Sequence, residues 1–173
     1  AFMASMLEMY LQGVSTRKVS KIIETLCGTT VSKSQVSELS KRLDKQLETW
    51  RNRKITGDYP YLIIDARYEK IRTERGVVSQ AVMIVVGVSD CGHRSVLSVE
   101  MGNSENESSW SDVFKKLKAR GLEGIKYVVS DDNKGLVAAL ARNYQGVVWQ
   151  RCQVHFIRNF MTKLSRRDLN SYI

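Results

Sequence analysis

The 173 residues include one proline, two histidines and three cysteines. Pro60 alone replaces a backbone N–H with a ring, so no other proline interrupts a helix or strand. Cys27, Cys91 and Cys152 are odd in number and widely spaced, which excludes a disulfide framework and fits a reducing compartment. No apolar run approaches the roughly 18 residues that a membrane span needs, and no basic start leads into an apolar signal region. The expectation is a cytoplasmic chain with no membrane partner. Internal repeats and low-complexity stretches are missing as well.

An excess of charge of one sign is missing only from the middle: residues 57–149 carry twelve Lys/Arg and twelve Asp/Glu. Residues 1–56 carry ten basic against five acidic residues, and residues 150–173 five against one, which together make the net +9. Basic flanks on a neutral centre point to surfaces that meet a polyanion such as DNA, with solvated helical faces as the plainer alternative. A hydrophobic content of 43% supports a buried core, and the length fits a small domain followed by a compact one.

The first third reads as helices. Residues 3–12 place Met6, Leu7, Tyr10 and Leu11 at helical spacing and stop at Gly13. Ser15 caps a second helix over 16–27, with Val19, Ile22, Ile23 and Leu26 on one face, and Gly28 ends it. Ser32 with Gln35 forms a capping-box signature for a third helix bearing Val36, Leu39, Leu43, Leu47 and Trp50. Helices at this spacing match helix-turn-helix logic, in which Lys33, Ser34, Gln35, Ser37 and Lys41 point outward to DNA. The long stripe to Trp50 also permits a helical linker or a dimerisation segment.

Gly57-Asp58-Tyr59-Pro60 divides this region, 1–56, from a second one, 57–173. Strands follow over 61–72, 77–89 and 94–101, separated by turns at Arg75-Gly76 and at Asp90 to His93. Then come a helix over 107–120 with Trp110, Val113, Phe114 and Leu117 inward, a strand over 125–130, a helix over 133–143, a strand over 146–150 and a basic helix from Gln153. The expected class is α/β, a mixed sheet in the order βββαβαβα with helices on its faces.

Asp65 interrupts the apolar run Tyr61 to Tyr68, and Asp131 closes Tyr127 to Ser130. A carboxylate in an apolar strand costs several kcal/mol of desolvation unless a basic partner, backbone donors or a divalent metal compensates it. Two such strands side by side bring two carboxylates together, the arrangement that holds Mg²⁺ for phosphoryl chemistry. The plainer readings pair Asp65 with Arg67 or Lys70 and make Asp131 a helix cap. Cys152 and His155 tempt a zinc reading, but two ligands close no zinc site and no second pair is at hand.

The order of these features resembles the Mutator-like bacterial insertion-sequence transposases of the DDE superfamily. An apolar strand with Asp, a meander, Ser130-Asp131-x-x-Lys134-Gly135-Leu136 and then Gln150-Arg151-Cys152-x-x-His155-x-x-Arg158-Asn159 carry the likeness, from about Leu7 to Lys163. The resemblance implies an RNase H-like catalytic domain after a small helix-turn-helix domain, with Asp65 and Asp131 as catalytic, metal-binding residues. It implies two Mg²⁺ or Mn²⁺ ions, DNA partners (element terminal repeats and target DNA), a homo-oligomeric active assembly and a bacterial cytoplasm, with nucleoid association when DNA is bound. Arg151, Arg158, Lys163, Arg166 and Arg167 are placed to meet phosphates, or form a solvated face. Cys152 and His155 then serve packing and hydrogen bonding near the site. Asp132 stands where the family carries a small residue, and is expected to cap the following helix. The family's third acid, a later Glu, finds no match: only Asp168 is acidic after Asp132. The expectation is therefore a transposase fragment inactive by itself, with a non-catalytic DNA-binding or dimerising remnant as the alternative.

Overall fold

The structure, a computed structural model, describes residues 8–9, 16–28, 32–73 and 76–164. The expected first helix lies outside these apart from Glu8 and Met9, which are helical, and so do Arg166 and Arg167. The chain divides into two compact units between Asn52 and Arg53.

The first unit contains α1 (Thr16–Cys27) and α2 (Lys33–Asn52). Val19 and Ile23, one helical turn apart on α1, are buried, whereas Leu26, expected on the same face, is 77% exposed. The capping box at α2 forms: the Ser32 N–H donates to Gln35 Oε1 at 2.9 Å and the Gln35 N–H to Ser32 Oγ at 3.2 Å. Two of the N–H groups that a helix start leaves without partners are satisfied this way. Gln35 and Lys41 are exposed; the side chains of Lys33, Ser34 and Ser37 lie outside the described set.

The second unit runs β1 (Tyr61–Thr73), β2 (Gly76–Val88), β3 (Arg94–Gly102), α3 (Glu107–Ala119), β4 (Tyr127–Ser130), α4 (Lys134–Asn143), β5 (Val148–Arg151) and α5 (Gln153–Met161). These elements build one mixed sheet in the order β3-β2-β1-β4-β5. β1–β2 and β2–β3 are antiparallel; β1–β4 and β4–β5 are parallel and use α3 and α4 as crossovers. The first and fourth strands are therefore neighbours.

Alternation along the strands sets the core on one face. Leu62 and Ile64 of β1, Met83 and Val85 of β2, Leu97 of β3 and Val128 of β4 are buried against Trp110, Val113, Phe114 and Leu117 of α3 and Leu136, Ala139 and Leu140 of α4. The α3 stripe is the one its sequence spacing foretold. Phe114 anchors it, meeting Trp110 at 6.2 Å and Tyr144 edge-on at 5.4 Å between ring centroids. β3 bulges: its register against β2 passes from Val85↔Ser98 to Val86↔Val96, so the consecutive Leu97 and Ser98 are both buried. Gly87 leaves room for this, since a Cβ there would lie 2.6 Å from Tyr59 Cδ1 and 2.7 Å from Leu97 Cδ1. Side chains on the opposite face, Ile63, Ile84 and Val86 among them, are half-buried, and Asp65 shares that face. Among the described residues no helix is long and apolar enough to cross a membrane.

Candidate active site on β1 and beyond β4

The parallel register pairs Tyr61 with Tyr127, Leu62 with Val128 and Ile63 with Val129. Asp65, within β1, and Asp131, just past the end of β4, each lie two residues beyond the last pair. β4 stops at Ser130, and Ser130 fixes that end. Its Oγ donates to the Asp131 carbonyl at 2.8 Å and accepts from Trp149 Nε1 at 2.9 Å, while its own carbonyl accepts the Cys152 N–H. The backbone at Asp131 is thus tied to the β5–α5 junction.

The plainer reading of Asp65 does not hold. Arg67 pairs with Glu69 at 2.6 Å, and among the described residues no ion pair reaches Asp65 or Asp131. Asp65 is exposed, and its Oδ1 accepts the neighbouring Ala66 N–H at 2.9 Å.

The expectation for Asp132 is corrected. Asn133, not Asp132, caps α4: Asn133 Oδ1 accepts the Leu136 N–H at 3.1 Å. Asp132 instead pairs with Arg151 Nη1 at 3.4 Å. Arg151 also lies over the Phe156 ring at 5.4 Å, and its Nε is buried without a hydrogen-bond partner. One of the arginines foreseen for phosphate is thus already engaged, while Arg158 and Lys163 are exposed.

Cys152 is the N-cap residue of α5 but makes no side-chain cap bond, and His155 Nδ1 is buried without a partner. The helix foreseen as basic carries Arg158 as its only Lys or Arg and is chiefly apolar. None of its residues is buried, and Val154, Phe156, Ile157 and Phe160 are 61%, 52%, 57% and 55% exposed.

Sequence reading missed Glu105, in the loop between β3 and α3. Its N–H donates to Tyr68 Oη at 3.3 Å, and its Oε2 accepts from Asn133 Nδ2 at 3.1 Å. The Glu105 carboxyl is held above the usual carboxylate range first by burial, then by the charges of Asp131 and Asp65. Three acids therefore share one electrostatic neighbourhood. Among the described residues no three His, Cys, Asp or Glu side chains are gathered closely enough to form a ready metal cage. The donor set nonetheless fits a hard cation such as Mg²⁺, which takes one or two carboxylates and keeps several waters. Among the described residues no ion pair reaches Asp65, Asp131 or Glu105.

The family sequence model described as Transposase, Mutator family, matches residues 1–173. The chain is 46% identical over 173 residues to the transposase for insertion sequence element IS256 in transposon Tn4001 of Staphylococcus aureus, covering 99% of this chain and 44% of that protein. It is 50% identical over 167 residues to the transposase for insertion sequence element ISRM5 of Rhizobium meliloti (strain 1021), covering 96% and 42%. The chain spans less than half the length of these curated relatives. Among solved structures, the HTLV-2 integrase catalytic core domain in complex with magnesium overlaps 69% of this chain and 74% of its own, at 14% identity and a TM-score of 0.35. That overlap is too loose to bear weight.

Proposed function

The chain belongs to the Mutator family of transposases, and from that premise we propose that it supplies two metal-binding carboxylates, Asp65 and Asp131, to a DNA transposase of the DDE type. The observation that carries the reading is the parallel β1–β4 pairing, whose last pair, Ile63 with Val129, lies two residues before each aspartate. The sheet order and its crossovers support an RNase H-like catalytic domain over 57–173. The two carboxylates would hold Mg²⁺ or Mn²⁺, which supplies an activated water or 3′-hydroxyl and a stabilised leaving oxygen for in-line attack on a phosphodiester. No Glu follows Asp132 in these 173 residues to serve as the third acid of the DDE set.

What this chain's own groups do is positional. Ser130, Trp149 and the Cys152 N–H hold the backbone at Asp131, and the Asp132–Arg151 pair fastens the loop beyond it. Residues 1–56 form the helix-turn-helix region in this reading, with Lys33, Ser34, Gln35, Ser37 and Lys41 facing DNA, assisted by Arg151 and Arg158. The full transposase acts as a homo-oligomer on element ends and target DNA. The test uses a protein extended to the relatives' full length. Asp65→Asn and Asp131→Asn each abolish strand cleavage and leave DNA binding intact; cleavage surviving either change sinks the assignment.

A second reading, a non-catalytic dimerising remnant, has the exposed apolar residues of α5 in its favour. Sedimentation of the 173-residue chain with and without Ile157→Lys distinguishes it.

A further inference from the structure

Glu105 is tied to the strand that carries Asp65 and to the segment that follows Asp131 by contacts from separate parts of the fold. Tyr68, on the same strand as Asp65, accepts the Glu105 N–H at 3.3 Å. Asn133, two residues beyond Asp131, donates through Nδ2 to the Glu105 carboxylate at 3.1 Å while its side-chain Oδ1 caps α4. Gly135, in the first turn of α4, lets the helix close directly onto the loop. A Cβ there would lie 2.8 Å from Asn106 C, 2.9 Å from Asn106 Cα and 2.9 Å from the Glu105 carbonyl oxygen. These last contacts are with backbone, so no side chain can swing aside to relieve them.

The chemistry of this arrangement is lopsided. Like charges brought together raise the free energy of the ionised state unless a cation answers them. Asn133 hydrogen-bonds the Glu105 carboxylate, and no ion pair to Glu105 occurs among the described residues. A loop strap alone needs no charge at this position; a glutamine would serve it as well.

Building on the reading of Asp65 and Asp131 as a cation-holding pair, we propose that Glu105 is a third acid of that site, a positioning residue whose negative charge sets how tightly the pair takes a divalent cation. It acts through the field it adds beside the two aspartates and through Asn133, which it orients at the head of α4. The cation in turn offsets the repulsion that Glu105 adds to the metal-free chain.

Mn²⁺ titration of the 173-residue chain, followed by electron paramagnetic resonance of the free ion, tests this together with thermal melts. Glu105→Gln keeps the length of the side chain and an acceptor for Asn133, so it removes charge and little else. It weakens Mn²⁺ binding roughly three- to tenfold, the range a partly solvated charge pair gives, and without Mn²⁺ it melts no lower than the parent chain. Glu105→Asp, which keeps the charge, retains more affinity than Glu105→Gln. Unchanged Mn²⁺ affinity in Glu105→Gln, with Asp65→Asn and Asp131→Asn both impaired, overturns the role of Glu105 and leaves the aspartate pair standing. A lower melting point of Glu105→Gln without Mn²⁺ makes Glu105 a structural strap and also overturns the proposal. A parent chain with no Mn²⁺ binding sensitive to Asp65 overturns the proposal and the aspartate reading alike.

Discussion

Asp132 and Arg151 meet at 3.4 Å, joining the loop that follows β4 to the last residue of β5. Asp132 is adjacent to Asp131, so the pair bears on the candidate site without belonging to it. Asp132→Asn removes the charge and leaves the Asn133 cap in place. The half-exposed pair limits the loss to about 1 kcal/mol or less, and salt shrinks it further. Urea denaturation at low and high salt checks this: the difference from the parent chain narrows as salt rises. In a full-length protein Asp132→Asn retains cleavage where Asp131→Asn loses it.

Gly135→Ala is expected to be costly although alanine is the better helix former. Its Cβ would press on the backbone of Asn106 and Glu105, so either α4 or the loop must retreat. Overpacking of this kind costs about 1–3 kcal/mol. Chemical denaturation of the 173-residue chain measures it, and a loss below about 0.5 kcal/mol would show that the loop yields freely.

Tyr144 offers the opposite case. Its ring packs against Phe114, and Lys118 sits 4.5 Å above its centroid, yet its hydroxyl is buried without a hydrogen-bond partner and burial pushes its pKa far up. Tyr144→Phe keeps the ring and removes an unsatisfied polar group, so the melting point holds or rises, by up to about 1 kcal/mol in stability terms. Tyr144→Ala loses the ring and about 3 kcal/mol or more.

Residues 1–56, with ten basic residues against five acidic ones, are expected to bind duplex DNA with steep salt dependence, since each neutralised phosphate releases counterions. Gel shifts at two salt concentrations decide between this and a dimerisation segment, which would show absent or salt-insensitive binding.

The parts legible in the sequence were those in which local chemistry forces the outcome. An Asp inside an apolar strand has few explanations, and the Trp110–Leu117 stripe has one helical face to bury. Ser32 and Gln35 form the capping box their spacing announces. Other features depended on distance along the chain. Asp131, Asp132 and Asn133 can each cap a helix, and the choice fell to Asn133 once Asp132 met Arg151, nineteen positions on. Glu105 carries no local mark at all. It comes to that region only because the loop after β3 meets the Tyr68 hydroxyl and α4 packs onto the loop at Gly135.

The alternation of β1 makes the candidate site sensitive to reading frame in a way that composition is not. Ile64 is buried in the core and Asp65 is exposed on the other face, so their exchange would bury a carboxylate and strand an isoleucine together. Deleting any single residue among 61–64 forces that exchange or breaks the pairing with Tyr127 to Val129. Insertions in the 121–126 connection shift neither strand against its partner. Length variation across relatives should therefore gather in such connections and spare the four residues before Asp65, whatever substitutions those four accept.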